Sequence, residues 1–171
     1  MSHAIDEPDY GLVYTGGFGQ ATFAATRIGI GFIFAWAFLD KLFGLGRSTK
    51  QEAAWVNGGS PTEGYVSNLN GTFADTFKNI AGEPWADWLF MIGLAGIGIA
   101  LILGIGMYTA AVTGTILLLL MWLTALPIAT NPFLDDHLIY ALIIIAIAAS
   151  GAGLRYSLAP WWRRITPRFL W

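Results

Sequence analysis

Trp88–Leu126 reads WLFMIGLAGIGIALILGIGMYTAAVTGTILLLLMWLTAL, with no Asp, Glu, Lys or Arg anywhere in it. Two apolar runs, about 88–103 and 108–126, are joined only by Gly104-Ile105-Gly106-Met107. Crossing about 30 Å of hydrocarbon as a helix takes about 20 apolar residues. The short link makes the two runs an antiparallel hairpin. Neither run carries the single apolar stripe of a soluble helix, as expected where the neighbours are lipid or other helices. Backbone polar groups find no water in lipid, so helices are the spanning solution.

Two more runs follow outward from this hairpin, about 21–39 before it and about 138–158 after it. The expected fold is an all-α integral membrane domain covering 1–171. It is a four-transmembrane-helix bundle with a long outer loop at about 41–84 and a C-terminal interfacial tail at 159–171. Composition agrees. Of 171 residues, 56% are hydrophobic and 12% charged, and mean hydropathy is +0.59. The charged fraction of a soluble domain is roughly twice that. Nine Lys and Arg against eleven Asp and Glu speak against a nucleic-acid partner. With no cysteine, disulfides, thiol nucleophiles and iron–sulfur ligation are excluded. Two histidines are too few for paired bis-histidine haems, so no intrinsic haem is expected. Phosphate-loop and dinucleotide fingerprints are missing, and with them a nucleotide cofactor.

The first twenty residues hold Asp6, Glu7 and Asp9 and no Lys or Arg, so the first span reads as an uncleaved anchor. Arg155, Arg163, Arg164 and Arg168 in the tail favour a cytoplasmic C-terminus, and four spans put the N-terminus there too. Lys41, Arg47 and Lys50 pull the other way but are diluted by the acids of the outer loop. In that loop Ser48 with Gln51 and Thr49 with Glu52 fit capping boxes, and Asn57-Gly58-Gly59 fits a helix stop. Thr72 with Asp75 opens a second short helix, with Phe73, Phe77 and Ile80 on one face. Asn70-Gly71-Thr72 also fits a glycosylation acceptor, a reading that capping makes unnecessary. Small-residue rows at Ala21, Ala25 and Gly29, at Gly96, Ala100 and Gly104, and at Ala110 and Gly114 favour close helix packing.

Ionisable groups at membrane depth are costly, and each is a functional candidate. Arg27 lies about two turns into the first run. It either snorkels or pairs, or it contacts an anionic ligand or a quinone oxygen. Asp40-Lys41 closes that run, about 21 Å further along the axis. The densest cluster is Asn131-Pro132-Phe133-Leu134-Asp135-Asp136-His137. Either Asn131 or Asp135 caps the helix that follows, where the macrodipole favours both aspartates. A histidine beside two carboxylates suits proton transfer near neutral pH. Asp135, Asp136 and His137 are therefore the candidates for the chemical step, and Arg27, Lys41, Trp122 and Tyr140 for binding substrate. Asp, His and Tyr at headgroup depth suit proton-coupled quinone chemistry, with quinone as cofactor. A metal is the rival, but three consecutive residues point around a helix at 100° steps, so no metal site is expected.

Arg27-Ile28-Gly29, Asp40-Lys41-Leu42 and Asn131-Pro132 with Asp135-Asp136-His137 together resemble the DoxX/DoxD family of prokaryotic membrane proteins. Gly58-Gly59-Ser60-Pro61-Thr62 and Trp88-Leu89-Phe90-Met91-Ile92-Gly93 extend the resemblance over roughly 21–158. It implies a multi-pass subunit of the prokaryotic plasma membrane, of the kind associated with thiosulfate:quinone oxidoreductase and working with a small partner subunit. Other relatives are linked to membrane oxidoreductase assemblies. The expected function is a redox-linked, quinone-interacting oxidoreductase subunit in an oligomer or hetero-complex. The alternative is a non-catalytic accessory or assembly subunit of a larger membrane complex.

Overall fold

The computed structural model describes residues 16–67, 69, 73–128 and 131–171. The described residues contain helices and turns but no strand. Three helices are long and apolar enough to cross a membrane: α1 (Gly17–Phe43), α4 (Pro84–Leu103) and α5 (Met107–Ala125). Two short helices, α2 (Pro61–Val66) and α3 (Ala74–Lys78), sit in the loop between α1 and α4. A shorter apolar helix, α6 (Asp136–Ser150), follows α5, and α7 (Ala159–Ile165) lies in the tail.

The fourth expected run departs from a simple span. At 15 residues, α6 is about 22 Å long. It stops where Gly151 turns left-handed at φ 61°, and a 3₁₀ turn at Leu154–Tyr156 replaces the expected helix to 158. The first run is instead longer than expected, starting at Gly17. Starts at Pro84 and Met107 also precede the expected ones. In the first case proline takes the first helical turn, where it has no N–H to lose.

Large apolar side chains face outward on all four long helices. Phe32 is 57% exposed, Ile92 61%, Val112 61% and Leu142 60%. Exposed apolar faces of this extent on every helix suit a lipid bilayer rather than water. The inner faces meet through Ile30, Phe34, Leu94, Ile97, Leu101, Leu118, Ile144 and Ile147. α1 packs chiefly on α4, and α5 on α6. At Gly98 a Cβ would stand 2.8 Å from the Ala35 backbone nitrogen, so the α1–α4 contact needs glycine there. The rows of small residues divide accordingly. Ala110 and Gly114 are buried, whereas Ala21, Ala25 and Gly29 are exposed.

The four helices share two ends. At the tail end, the Gly153 N–H donates to Gln20 Oε1 (2.7 Å) and the Leu158 N–H to Leu103 O (2.9 Å). The tail folds back there: the Tyr108 N–H donates to Trp171 O (2.7 Å) and Trp162 Nε1 to Leu170 O (2.8 Å). Arg163 and Arg168 both lie over the Trp171 ring. This fits an interfacial anchor that mixes aromatics with cations. The loop end holds the end of α1, the starts of α4 and α6, and the end of α5.

Candidate functional site at the loop end

Two buried aspartates on the membrane helices fasten the loop over this end. Asp40, 1% exposed, accepts the Arg47 N–H (3.2 Å), the Ser48 N–H (2.9 Å) and hydroxyl (2.6 Å), and the Thr49 N–H (2.9 Å). The expected capping boxes at Ser48 and Thr49 do not form, because Asp40 takes their groups and the turn Gln51–Ala53 has no side-chain cap. Asp87, 6% exposed, accepts the Ser60 hydroxyl (2.8 Å), the Thr62 N–H (2.9 Å) and the Thr62 hydroxyl (2.5 Å). Ser60 in turn caps α2 by accepting the Glu63 N–H. A carboxylate that accepts three or four such donors is stable away from water. Trp55 meets Trp88 edge-on at 4.7 Å between ring centroids. The expected stop at Asn57-Gly58 is present, with Gly58 left-handed after the turn Trp55–Asn57. The expected opening of α3 by Thr72 and the acceptor triplet at Asn70 fall outside the described residues.

At the start of α6, Asp135 is the N-cap and accepts the Leu138 N–H at 3.2 Å. Asn131 instead accepts the Phe133 and Leu134 N–H groups at 3.0 Å and closes the preceding turn. As a cap, Asp135 has extended backbone (φ −132°), and its other oxygen folds back to His137 Nδ1 at 2.7 Å. Asp136 Oδ1 lies 3.6 Å from the same nitrogen. Ligand-type atoms of Asp135, Asp136 and His137 thus all fall within 4.8 Å of one another. The 100° argument against their convergence fails because Asp135 stands outside the helix. Within the group, Asp135 holds both His137 and the start of the helix.

Next to this cluster stands Tyr65, brought from α2. Its hydroxyl is 3.5 Å from the Thr124 hydroxyl at the end of α5, and Thr124 itself donates to Met121 O at 2.6 Å. Burial pushes the Tyr65 phenol above its ordinary range, and the negative charges of Asp135 and Asp136 push it further, against the Thr124 contact. Phe90 lies beside Tyr65 at 6.1 Å between centroids, and Lys41 Nζ sits 5.9 Å above the Phe90 ring. Loop, α1, α4, α5 and α6 therefore all contribute to one polar end.

Below Tyr65 an apolar groove of about 710 Å³ runs between α4 and α5. Gly93, Gly96, Ala100 and Ala110 give it depth, Phe77 of α3 and Ile80 in the turn after it roof it, and Trp162 and Leu170 floor it. The expected apolar face of the second loop helix is thus partly realised, since Phe77 and Ile80 line the groove.

Two of the expected substrate contacts, Arg27 and Trp122, donate to backbone carbonyls. Arg27 is fully buried and lies at the opposite, tail end. Nη1 donates to Leu101 O and to Ile102 O (3.1 Å), and Nη2 donates to Tyr156 O (2.8 Å). The last carbonyls of a helix lack intrahelical partners, and a guanidinium answers both their lone pairs and the dipole. Arg27 thus ties α1 to the end of α4 and to the 154–156 turn. Trp122 donates its indole N–H to Phe133 O at 2.9 Å, so it holds the turn before α6. Lys41 is half-buried over an aromatic ring instead of extending to water. Tyr140 packs against the core, and among the described residues no hydrogen bond joins it to Asp136.

Comparison with protein-family models, curated proteins and solved structures found no match to this chain.

Three residues that matter here carry no motif: Tyr65, Thr124 and Asp87. The nearest signal for Asp87 is the Ser60-Pro61-Thr62 string, whose hydroxyls and N–H groups need an acceptor. Tyr65 and Thr124 meet across 59 positions, and no local pattern announces such a pair.

Proposed function

We propose that this chain is the membrane subunit of a redox complex and interacts with quinone at the loop end of the bundle. Electrons come from a reduced sulfur compound such as thiosulfate or from a partner protein. The quinone takes two electrons and two protons to become quinol, and His137, held by Asp135, supplies the proton route with Asp136. The observation that carries this reading is Tyr65, which lines an apolar groove and stands at the end of the bundle that also holds the Asp135–His137 pair. A lipid-soluble substrate needs both an apolar seat and polar groups that fix its orientation. The resemblance to the DoxX/DoxD family points the same way.

In this reading α6 and the residues to 158 form a fourth span. Its start lies at the loop end and its end beside α1 at the tail end, and a stretch shorter than the bilayer is accommodated by local thinning at modest cost. Four spans with the arginine-rich tail inside give a multi-pass protein with cytoplasmic termini, and the family resemblance implies a prokaryotic plasma membrane. The test is quinone reduction by the purified complex with thiosulfate as donor. His137→Ala and Asp136→Asn are expected to slow it by about 10²-fold or more, the scale of a lost general acid–base group. Full activity in both variants would remove the cluster from the chemistry and leave the accessory reading.

A further inference from the structure

The groove between α4 and α5 has a shape that selects its occupant. It extends from Tyr65 and Thr124 at one end to Thr109, Trp162 and Leu170 at the other. The fifteen-residue step from Thr109 to Thr124 is about 22 Å of helix. Both ends are covered, by α3 and Tyr65 at the loop end and by the folded-back tail at the other. A membrane-crossing helix of a partner has to pass both ends, and the roof and floor block it. A flexible chain arriving sideways from the bilayer meets no such obstacle.

Polarity then orients that chain. The lining is apolar along its length, and at the loop end the hydroxyls are those of Thr62, Tyr65 and Thr124. Thr62 is committed to Asp87 at 2.5 Å, and Thr124 to Met121 O at 2.6 Å. With the Thr124 proton on Met121 O, Tyr65 is the donor in the long 3.5 Å contact to Thr124. At that length the bond is weak, and a ring carbonyl at ordinary distance is a better acceptor for the Tyr65 O–H. The upward displacement of its pKa keeps that proton in place.

We propose that the α4–α5 groove seats the prenyl tail of a quinone, and that the Tyr65 hydroxyl donates a hydrogen bond to one carbonyl of its ring. This rests on the quinone reading above, and it adds where the tail lies and which residue holds the ring. Tyr65 binds the ring on the α2 side while the Asp135–His137 pair stands on the α6 side.

The test is a binding titration of the intact chain in phospholipid nanodiscs, using a short-tailed prenyl quinone and the same ring without a tail. With ligand concentration expressed per lipid, so that transfer from water cancels, packing of the tail in the groove is expected to strengthen binding by about threefold or more. Gly96 has open space where a Cβ would stand, so Gly96→Leu fills the groove without displacing backbone, and Gly96→Ala serves as a folded control. Gly96→Leu is expected to abolish the advantage of the tail while ring affinity holds. Tyr65→Phe is expected to weaken both ligands by about 3- to 10-fold, one hydrogen bond's worth. If His137→Gln weakens quinone binding but Gly96→Leu and Tyr65→Phe do not, the groove assignment falls and the quinone reading stands. If the unaltered protein binds neither ligand, both fall. A retained phospholipid that quinone does not displace, or a partner polypeptide crosslinked from Ala100→Cys, also overturns the groove assignment.

Discussion

Replacing Arg27 with methionine separates a structural role from a ligand contact. The side chain keeps its apolar stem and loses every donor. Three carbonyl contacts disappear, at Leu101, Ile102 and Tyr156. A hydrogen bond from a charged donor contributes about 1.5–3 kcal/mol in water-soluble proteins. Measured bonds between membrane helices average about 0.6 kcal/mol. Arg27 sits at the end of α4, between these regimes, so the loss comes to about 3 kcal/mol. For a chain of this size that lowers Tm by about 6–12 °C. The assay is thermal unfolding in mild detergent, followed by the near-ultraviolet signal of the tryptophans. Arg27→Lys keeps the charge but not the fork, and it is expected to fall between the two. Quinone binding is expected to survive in Arg27→Lys, because the residue lies at the end of the bundle remote from Tyr65. A melting temperature within about 1 °C of the unaltered protein, with quinone binding lost, would refute this reasoning and restore Arg27 as a ligand contact.

Three further outcomes are expected. Asp40→Ala leaves the N–H groups of 47–49 without their acceptor, and limited proteolysis is expected to cut the 44–50 segment at least about tenfold faster. Gly104→Ala places a Cβ 2.4 Å from Ser157 Cβ and 2.6 Å from Arg27 Nη1 at a φ of 68°. It is expected to cost more than about 1 kcal/mol, measurable as a lowered Tm. The third concerns pH. Tyr65 has its folded-state pKa raised from the ordinary 10.0. Its protonated form therefore contributes stability that is complete below pH 10 and is lost as pH rises through the folded value. Unfolding followed from pH 9 to 11 is expected to fall off less steeply in Tyr65→Phe than in the unaltered protein.

Much of the bundle is legible in the sequence because hydrocarbon leaves few options. The uncharged run around Gly104 fixes a hairpin, and Asp135 is one of the two caps expected for α6, by chemistry that acts within one turn. The length of α6 is less legible. Ala148 and Ser150 read as a continuing apolar run, but Gly151 and Gly153 both take left-handed backbone and end the helix early. The cluster Asp135-Asp136-His137 is visible as a string. Its convergence is not, since it depends on Asp135 being the cap rather than the first helical residue. Arg27 and Trp122 stand out in the sequence, but the groups they bond do not. Each is a polar group in an apolar stretch, and each donates to backbone carbonyls outside its own helix. Carbonyl acceptors carry no side-chain signature, so partners 74 positions away for Arg27 and 11 for Trp122 leave no trace in the pattern. Tyr65 is the converse case, an ordinary loop tyrosine until α2 is folded over Thr124.

The most direct measurement is photoaffinity labelling of native membranes with a quinone that carries a photoreactive group on its tail. The account predicts label on peptides from 85–124, on the faces that line the groove, and its loss when unlabelled quinone is added. Label confined to the outward face of α1, or undiminished by competing quinone, would contradict it.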